Sequence, residues 1–181
     1  CLPADMEQYE RACLIASSSP GRADLAGRVR VLLTGVPVVH MAEKVVDLIE
    51  SHGGVIVCQE NCTGVKPILE DVDEAAPDPL RAIAEKYFHL PCSVMTPNDG
   101  RVDLLRQLTK EYRPDAVIEL IWQACLTYDV ESSRIKRWAE GEANCPYLRI
   151  ETDYSPSDSA RIALRVEALF ETVRARRKNA P

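Results

Sequence analysis

Three cysteines stand where a parallel α/β sheet would bring their thiols to one edge. Cys62, in ENCTG (60–64), and Cys125, in QACLTY (123–128), each follow an apolar run that predicts a strand. Cys92 lies in LPCSVMTPN, a segment between two predicted helices that is too rigid and too short to be a helix. Three separated cysteines from different loops suit a cubane iron–sulfur cluster held by thiolates. Free cysteine is also a common small buried residue, so unrelated core thiols remain the alternative.

The other cysteines carry less information. The chain has seven, and Cys58 lies inside the second predicted strand, where we expect a buried core thiol without a ligand role. Cys1, Cys13 and Cys145 have no supporting context. No C-x-x-C pair occurs, which argues against a zinc ribbon or a thioredoxin motif. A reducing compartment is the default for such thiols, and we expect a cytoplasmic protein.

The elements that must position these cysteines alternate between strand and helix. Apolar runs predict strands at 28–33, 53–59, 115–122 and 147–153, and helical periodicity predicts helices at 1–16, 40–52, 78–88, 101–112, 130–140 and 157–176. Helices that connect successive strands imply a parallel sheet covered on both faces. The sequence therefore predicts a three-layer α/β/α sandwich with a mostly parallel four-stranded sheet, of Rossmann-like or flavodoxin-like type. Residues 1–27 are expected to form a helix and linker, and residues 28–181 one α/β domain.

The segments that follow the four strands are rich in polar and sulfur side chains. Ligands of open parallel sheets bind beyond the carboxyl ends of the strands, so these segments predict a site. Its lining is expected to include Thr34, Gly35, Glu60, Asn61, Thr63, Gly64, Tyr128, Asp153, Tyr154 and Ser155. Glu60 and Asn61 are expected to orient the Cys62 turn through side-chain to backbone hydrogen bonds. The plainer alternative for Asp153 and Ser155 is that they cap the last helix.

Composition narrows the range of partners. The net charge of −6 does not favour a phosphate backbone, so we expect no nucleic-acid partner. The basic run at 174–178 closes a predicted helix, where cations suit the negative end of the dipole. No apolar run approaches the roughly 20 residues of a membrane span, and we expect no membrane partner. Lys66 and Arg101 are candidates for contacts with the phosphates of a ligand or are ordinary surface charges. Since the chain begins with Cys1, we expect a processed product or a fragment.

Four longer stretches carry a family resemblance. They read VLLTGVP…VVDLIESHGGVIVCQENCTGVKP, DPLRAIAEKYFHLPCSVMTPN, IELIWQACLTYDVES and YLRIETDYSPSDSARIALRVEALFE. In this order, over about residues 28–173, they resemble the C-terminal half of the D-component subunit of the 2-hydroxyacyl-CoA dehydratase / benzoyl-CoA reductase family. Within that family, ENCTG, LPCS-x-MTPN and WQAC-x-TY look closest to the double-cubane cluster proteins.

The resemblance implies an oxygen-sensitive protein with an iron–sulfur cofactor, either [4Fe-4S] or a double cubane. It implies that Cys125 matches the C-terminal cluster cysteine of the family, and that Cys62 and Cys92 match cysteines of the double-cubane motifs. It also implies partners: an ATP-hydrolysing iron–sulfur activator that delivers a low-potential electron, a homologous dehydratase subunit or a second copy of the chain, and an acyl-CoA. The chemistry would be dehydration of a 2-hydroxyacyl-CoA or a reduction.

The chain also departs from the family pattern. Family subunits are about twice as long, and their N-terminal half, which supplies further cluster ligands, is expected to be absent. Arg161 and Leu164 replace the usual Gln and Thr of the last motif, and Leu126 stands where a polar residue is usual. Two hypotheses therefore remain: the C-terminal domain of an ATP-dependent iron–sulfur reductase or dehydratase subunit, or an α/β scaffold domain without an intact cluster.

Overall fold

The strands of the protein form a parallel sheet. The computed structural model describes residues 3–19, 23–95 and 97–179, so Cys1 lies outside the described residues. The strands are β1 (Val29–Gly35), β2 (Gly54–Glu60), β3 (Ala116–Trp122) and β4 (Tyr147–Thr152). They lie in the order β2-β1-β3-β4, and all three pairings are parallel. All four carboxyl ends therefore meet at one edge, as predicted.

Helices connect and flank these strands. They are α1 (Pro3–Ser18), α2 (Lys44–Ser51), α3 (Pro79–Phe88), α4 (Asp99–Tyr112), α5 (Leu126–Arg137) and α6 (Ser159–Asn179). Short 3-10 turns at Ala23–Leu25, Lys66–Ile68 and Pro156–Asp158 and a π-helical turn at Trp138–Glu142 complete the secondary structure of the described residues. In that same part of the chain, no helix is both long and apolar enough to cross a membrane.

Apolar side chains cover the sheet on both faces. Successive strand residues point to opposite faces, so Val31 and Leu33 join the core under α2 and α6, whereas Leu32 joins the core under α4 and α5. Phe170, in the middle of α6, is completely buried in the first of these cores. The structure thus confirms the three-layer α/β/α sandwich.

Two helices start four residues away from their predicted first residue. The second helix begins at Lys44 and not at residue 40, because Met41 has a φ of 70°, which a right-handed helix cannot accommodate. Met41 is 85% exposed and lies before the helix. The fifth helix begins at Leu126, directly after Cys125, and not at residue 130. The loop after β3 is therefore shorter than the predicted QACLTY segment.

The basic end of α6 has a structural role. The Arg177 guanidinium pairs with the Asp115 carboxylate and donates to the carbonyl oxygens of Gly27 and Arg28. Arg176 donates to the carbonyl oxygen of Asn144. These contacts fasten the last helix to loops at the amino edge of the sheet, in agreement with the prediction that the basic run closes a helix.

Candidate functional site

The topology creates a crevice beyond the carboxyl ends of β1 and β3. The chain leaves β1 towards α2 on one face of the sheet and leaves β3 towards α5 on the other face, which is a topological switch point. Gly35, the last residue of β1, has a φ of +110°, and a Cβ there would lie 2.1 Å from the carbonyl oxygen of Leu120. Glycine is therefore required at this position, which pairs with Leu120 of β3.

The ENCTG segment is a tight turn with Cys62 exposed on it. The side chain of Asn61 is completely buried, and its Oδ1 accepts hydrogen bonds from the backbone N–H and the hydroxyl of Thr63, both at 3.1 Å. A Cβ on Gly64 would lie 2.1 Å from the carbonyl oxygen of Gln59. Asn61 therefore orients the turn as predicted, and Gly64 permits the close contact that holds it.

This turn also contacts the loop that follows β1. The hydroxyl of Thr63 accepts a hydrogen bond from the backbone N–H of Val38 at 3.0 Å. Thr34 and Gly35, which were predicted in the turn after the first strand, belong instead to β1 itself. The first two strands thus end in loops that are tied to each other.

Cys125 is the residue that immediately precedes α5. Its backbone N–H donates to the carbonyl oxygen of Trp122 at 2.9 Å, and the intervening Ala124 has a φ of 67°. A left-handed conformation is unfavourable for alanine, and such residues cluster at functional sites. The half-buried Cys125 thiol lies 3.7 Å from the hydroxyl of Thr127.

The Cys92 segment reaches the same place. Asn98 is buried, and its amide donates to the carbonyl oxygen of Cys92 at 2.9 Å, which fixes the segment at the start of α4. The hydroxyl of Ser93 donates to that of Thr127 at 3.4 Å. Thr127 therefore contacts both the Cys125 thiol and the residue that follows Cys92.

Tyr128 connects the third cysteine to this group. The side chain is almost completely buried, and burial raises the pKa of its hydroxyl above the usual 10.0. Negative charge on Glu60 and, to a lesser degree, on Cys62 raises that pKa further, and the positive charge of Arg101 opposes the rise. Lys66, which follows the Cys62 turn, places its Nζ 5.9 Å from the centroid of the Tyr128 ring. The segments of Cys62, Cys92 and Cys125 thus meet around Thr127 and Tyr128.

The three segments offer free thiols, which have the ligand chemistry of an iron–sulfur cluster. Across residues 3–19, 23–95 and 97–179, no three His, Cys, Asp or Glu side chains stand close enough together to hold one metal ion. The thiolates of a cubane bind separate iron atoms, and so stand farther apart than the ligands of a single ion. Cys62, Cys92 and Cys125 are free thiols that are exposed or half-buried, as open ligand positions require.

The core cysteines differ in their chemistry. Burial, together with the charges of Glu60 and Glu111, raises the pKa of Cys58 to about 12. Burial also raises the pKa of Cys145, whose thiol donates to the carbonyl oxygen of Pro114. Both groups therefore stay protonated near neutral pH, whereas metal ligation needs a thiolate. The prediction that Cys58 is a buried core thiol is confirmed.

A buried charge network lies beneath the cysteine segments, with Arg101 at its centre. The Arg101 side chain is 0% exposed. Its guanidinium nitrogens lie 2.9 Å from Thr34 Oγ1, 3.0 Å from Glu119 Oε1, 2.6 Å from Glu131 Oε2 and 3.5 Å from Glu60 Oε2. Burial lowers the pKa of Arg101, but the surrounding carboxylates outweigh this effect and raise it overall. The cation is therefore permanent.

Lys66 and Glu60 complete the network. Both side chains are buried, Thr34 donates its hydroxyl proton to Glu60, and Lys66 Nζ lies 2.6 Å from Glu60 Oε1. That contact lacks the angles of a hydrogen bond, and among the described residues neither atom has another hydrogen-bond partner. The expectation that Glu60 orients the turn through hydrogen bonds to the backbone was therefore wrong, because its carboxylate contacts the side chains of Thr34, Lys66 and Arg101. The expectation that Lys66 and Arg101 are surface charges or contact CoA phosphates was also wrong, because both are inaccessible.

Sequence reasoning missed this network, although a signal for Arg101 was present. Arg101, Leu105 and Leu108 share one face of α4 at helical spacing, and all three are buried. The signal for the acidic partners was weaker. Glu119 interrupts the apolar β3 run AVIELIW, and Glu60 ends β2. A charged residue at a position that periodicity assigns to the core indicates a buried ion pair.

The segment after β4 contributes mainly structure. Asp153 accepts from the backbone N–H of Ser155 at 2.8 Å, and Ser155 accepts from that of Ser157 at 3.2 Å. These bonds cap the 3-10 turn that precedes α6, as the plainer alternative predicted. The Tyr154 ring packs against Trp122 with a centroid separation of 4.7 Å.

Comparison with known proteins gives two matches. The family model described as "2-hydroxyglutaryl-CoA dehydratase, D-component" matches residues 5–173. The Escherichia coli (strain K12) protein named "Putative dehydratase subunit YjiM" is 47% identical over 144 residues. That alignment covers 80% of this chain and 37% of the relative, so the matching part of this chain spans little more than a third of the relative's length.

Proposed function

Because the chain belongs to the 2-hydroxyglutaryl-CoA dehydratase D-component family, we propose that it is an iron–sulfur part of a dehydratase-type subunit. Cys62, Cys92 and Cys125 would hold the cluster as thiolates. The observation that carries this proposal is the meeting of their three segments around Thr127 and Tyr128. When bound, the cluster would accept and pass on a low-potential electron.

The residues of the chain would orient the thiolates and limit access of water. Asn61 and Gly64 hold the turn that presents Cys62, and the left-handed Ala124 directs the chain into α5 at Cys125. Backbone N–H groups at the start of a helix are natural donors to negatively charged groups. The half-buried positions of Cys92 and Cys125 place part of the site away from solvent.

The family also suggests the partners of the whole protein. We propose an ATP-hydrolysing iron–sulfur activator as the electron donor, and a homologous dehydratase subunit or a second copy of the chain as the structural partner. An acyl-CoA would be the substrate. Whether the substrate is dehydrated or reduced would depend on the complete assembly of this chain with its partner subunits. The relatedness to a named dehydratase subunit supports an assembly of subunits.

Anaerobic reconstitution with iron and sulfide tests the cluster. Wild-type protein is expected to take up both elements in a fixed ratio, and Cys62→Ser, Cys92→Ser and Cys125→Ser are each expected to lose most of the iron while the far-ultraviolet circular dichroism spectrum is retained. Cys13→Ser, at an exposed position of α1, is the matched control and should keep its iron. Full iron content in the three ligand variants would refute the assignment. A wild-type protein without iron would favour the scaffold hypothesis.

A further inference from the structure

Arg101 belongs to or contacts an element that adjoins each of the three cysteine segments. We infer that Arg101 is a positioning residue that holds the three cysteine segments in register, an inference that rests on the proposed cluster site. Its backbone belongs to the first turn of α4, which directly follows the Cys92 segment. Its side chain reaches Glu60, two residues before Cys62, and Glu131, in the helix that begins after Cys125.

The same guanidinium reaches the sheet. It binds Thr34 Oγ1 at 2.9 Å and Glu119 Oε1 at 3.0 Å, and so ties the cysteine segments to the carboxyl halves of β1 and β3. The Tyr128 ring lies against it, with the guanidinium carbon 4.7 Å from the ring centroid. Lys66, which follows the Cys62 turn, places its Nζ 5.9 Å from the centroid of the same ring, and Ser93 donates to Thr127, the neighbour of Tyr128, at 3.4 Å. The positioning therefore extends from Arg101 to all three segments through short contacts.

The shape of the arginine side chain explains why this residue is needed. A guanidinium presents five donors in a fixed plane and can serve several acceptors at once, whereas a lysine ammonium is a compact point charge. A purely structural ion pair would not need this shape, and buried ion pairs are often replaceable by apolar residues without loss of stability. The convergence of four acceptors from β1, β2, β3 and α5 on one side chain indicates that their relative placement is what Arg101 specifies.

Amide hydrogen exchange of the cluster-free protein tests this role without relying on activity. In Arg101→Lys, we expect amide exchange at least about tenfold faster than in the wild type in segments 59–65, 90–95 and 124–131. Local opening becomes easier in these segments because the planar guanidinium that binds several acceptors is lost. Exchange in α6 and in the first half of β1 should be unchanged. Arg106→Lys is the matched control, since Arg106 lies on the same helix but binds only Asp103 and Glu142 at the surface among its described ion-pair partners.

A second variant guards against simple unfolding. Arg101→Met combined with Glu119→Gln removes one positive and one negative buried charge and leaves the pair of Lys66 and Glu60 intact. We expect it to fold, to show faster exchange in the same three segments, and to hold less than half of the wild-type iron after reconstitution. Wild-type exchange in the three segments of either folded variant would overturn the inference, as would an equal rise in every part of the chain. Iron-free wild-type protein would instead refute the cluster assignment, so the two failures are read from separate measurements.

Discussion

Lys66 Nζ lies 2.6 Å from Glu60 Oε1, and the two side chains are 2% and 0% exposed. Lys66 follows the Cys62 turn and Glu60 precedes it, so the ion pair closes the base of that turn. Removing two charges from water is costly, and only a good partner geometry compensates for the loss of hydration. The pair therefore makes the stability of the protein sensitive to either partner.

Lys66→Met should lower the free energy of unfolding by about 3–5 kcal/mol, because Glu60 is left as a buried carboxylate with fewer cations around it. Adding Glu60→Gln should recover part of this loss, since the uncompensated charge is then removed. Urea denaturation monitored by circular dichroism measures both values.

The control for this prediction is an exposed ion pair of the same chemical kind. Arg81 Nε lies 2.8 Å from Glu85 Oε1 at the surface of α3. Arg81→Met should cost less than about 1 kcal/mol, because solvent screens such pairs. A similar cost for both substitutions would show that the buried pair is not special.

Glu119 predicts a dependence of stability on pH. Burial raises the pKa of this carboxyl above its ordinary value of 4.5, although the charge of Arg101 and the hydrogen bond from Tyr147 oppose the rise. A raised pKa favours the protonated form in the folded state, so this contribution to stability is complete below about pH 4.5 and is lost as the pH rises through the folded-state pKa.

Glu119→Gln removes that titration. Relative to the wild type, the variant should therefore gain unfolding free energy as the pH rises from about 4.5 to the folded-state pKa of Glu119, and the difference should stay constant above it. Denaturant unfolding of both proteins at several pH values gives the difference directly. If the difference in unfolding free energy between variant and wild type falls as the pH rises, the charge of Arg101 outweighs the effect of burial and the pKa of Glu119 is lowered.

The sequence was sufficient for the layers of the fold but not for the charges inside it. A buried strand such as β3 appears in the sequence as a run of mostly apolar neighbouring residues. Because this signal is local, the parallel sheet could be predicted. Arg101 and Glu60 are 41 positions apart, and their pairing exists only once α4 packs beside β2. Local patterns contain no information on such a contact, so each charge was assigned to the surface or to a turn.

The cysteine segments were partly predictable, because some of their hydrogen bonds join residues that are close in sequence. The turn at Asn61 depends on residues two apart, and its hydrogen bonds matched the expectation. The start of α5 at Leu126 was missed, because no Ser, Thr, Asp or Asn precedes it and Cys125 caps nothing with its side chain. That the three cysteines ligate iron stays a prediction.

Thiol reactivity should separate the cysteines into two classes. With a pKa of about 12, Cys58 has a thiolate fraction of about one in ten thousand at pH 8, and its thiol is buried, whereas Cys62 is exposed to the reagent. Short treatment of the native cluster-free protein with iodoacetamide should therefore label Cys62 and leave Cys58 and Cys145 unmodified.

Peptide mass spectrometry measures this labelling, and the same treatment in 6 M guanidinium chloride, roughly the concentration that unfolds even very stable domains, is the control. All described cysteines should react there. Native labelling of Cys58 at the rate of Cys62 would show that the β2 thiol is accessible, and the choice of Cys62 as the ligand of the CQENC pair would then need revision.

Gly64 is the residue on which the geometry of the Cys62 turn depends most directly. A Cβ at this position would lie 2.1 Å from the carbonyl oxygen of Gln59 and 2.7 Å from its Cβ, and a backbone atom cannot move aside as the end of a flexible side chain can. Gly64→Ala should therefore lower the free energy of unfolding by about 2–3 kcal/mol through overpacking.

Gly141→Ala is the matched control, because an added Cβ there meets nothing within 4 Å and should change stability by less than about 1 kcal/mol. If Gly64 acts through the cysteine turn, Gly64→Ala should also bind less iron than Gly141→Ala at a temperature where both are folded. Equal stability and equal iron content in the two variants would show that the turn tolerates a side chain, and that the close contact with Gln59 does not determine how Cys62 is presented.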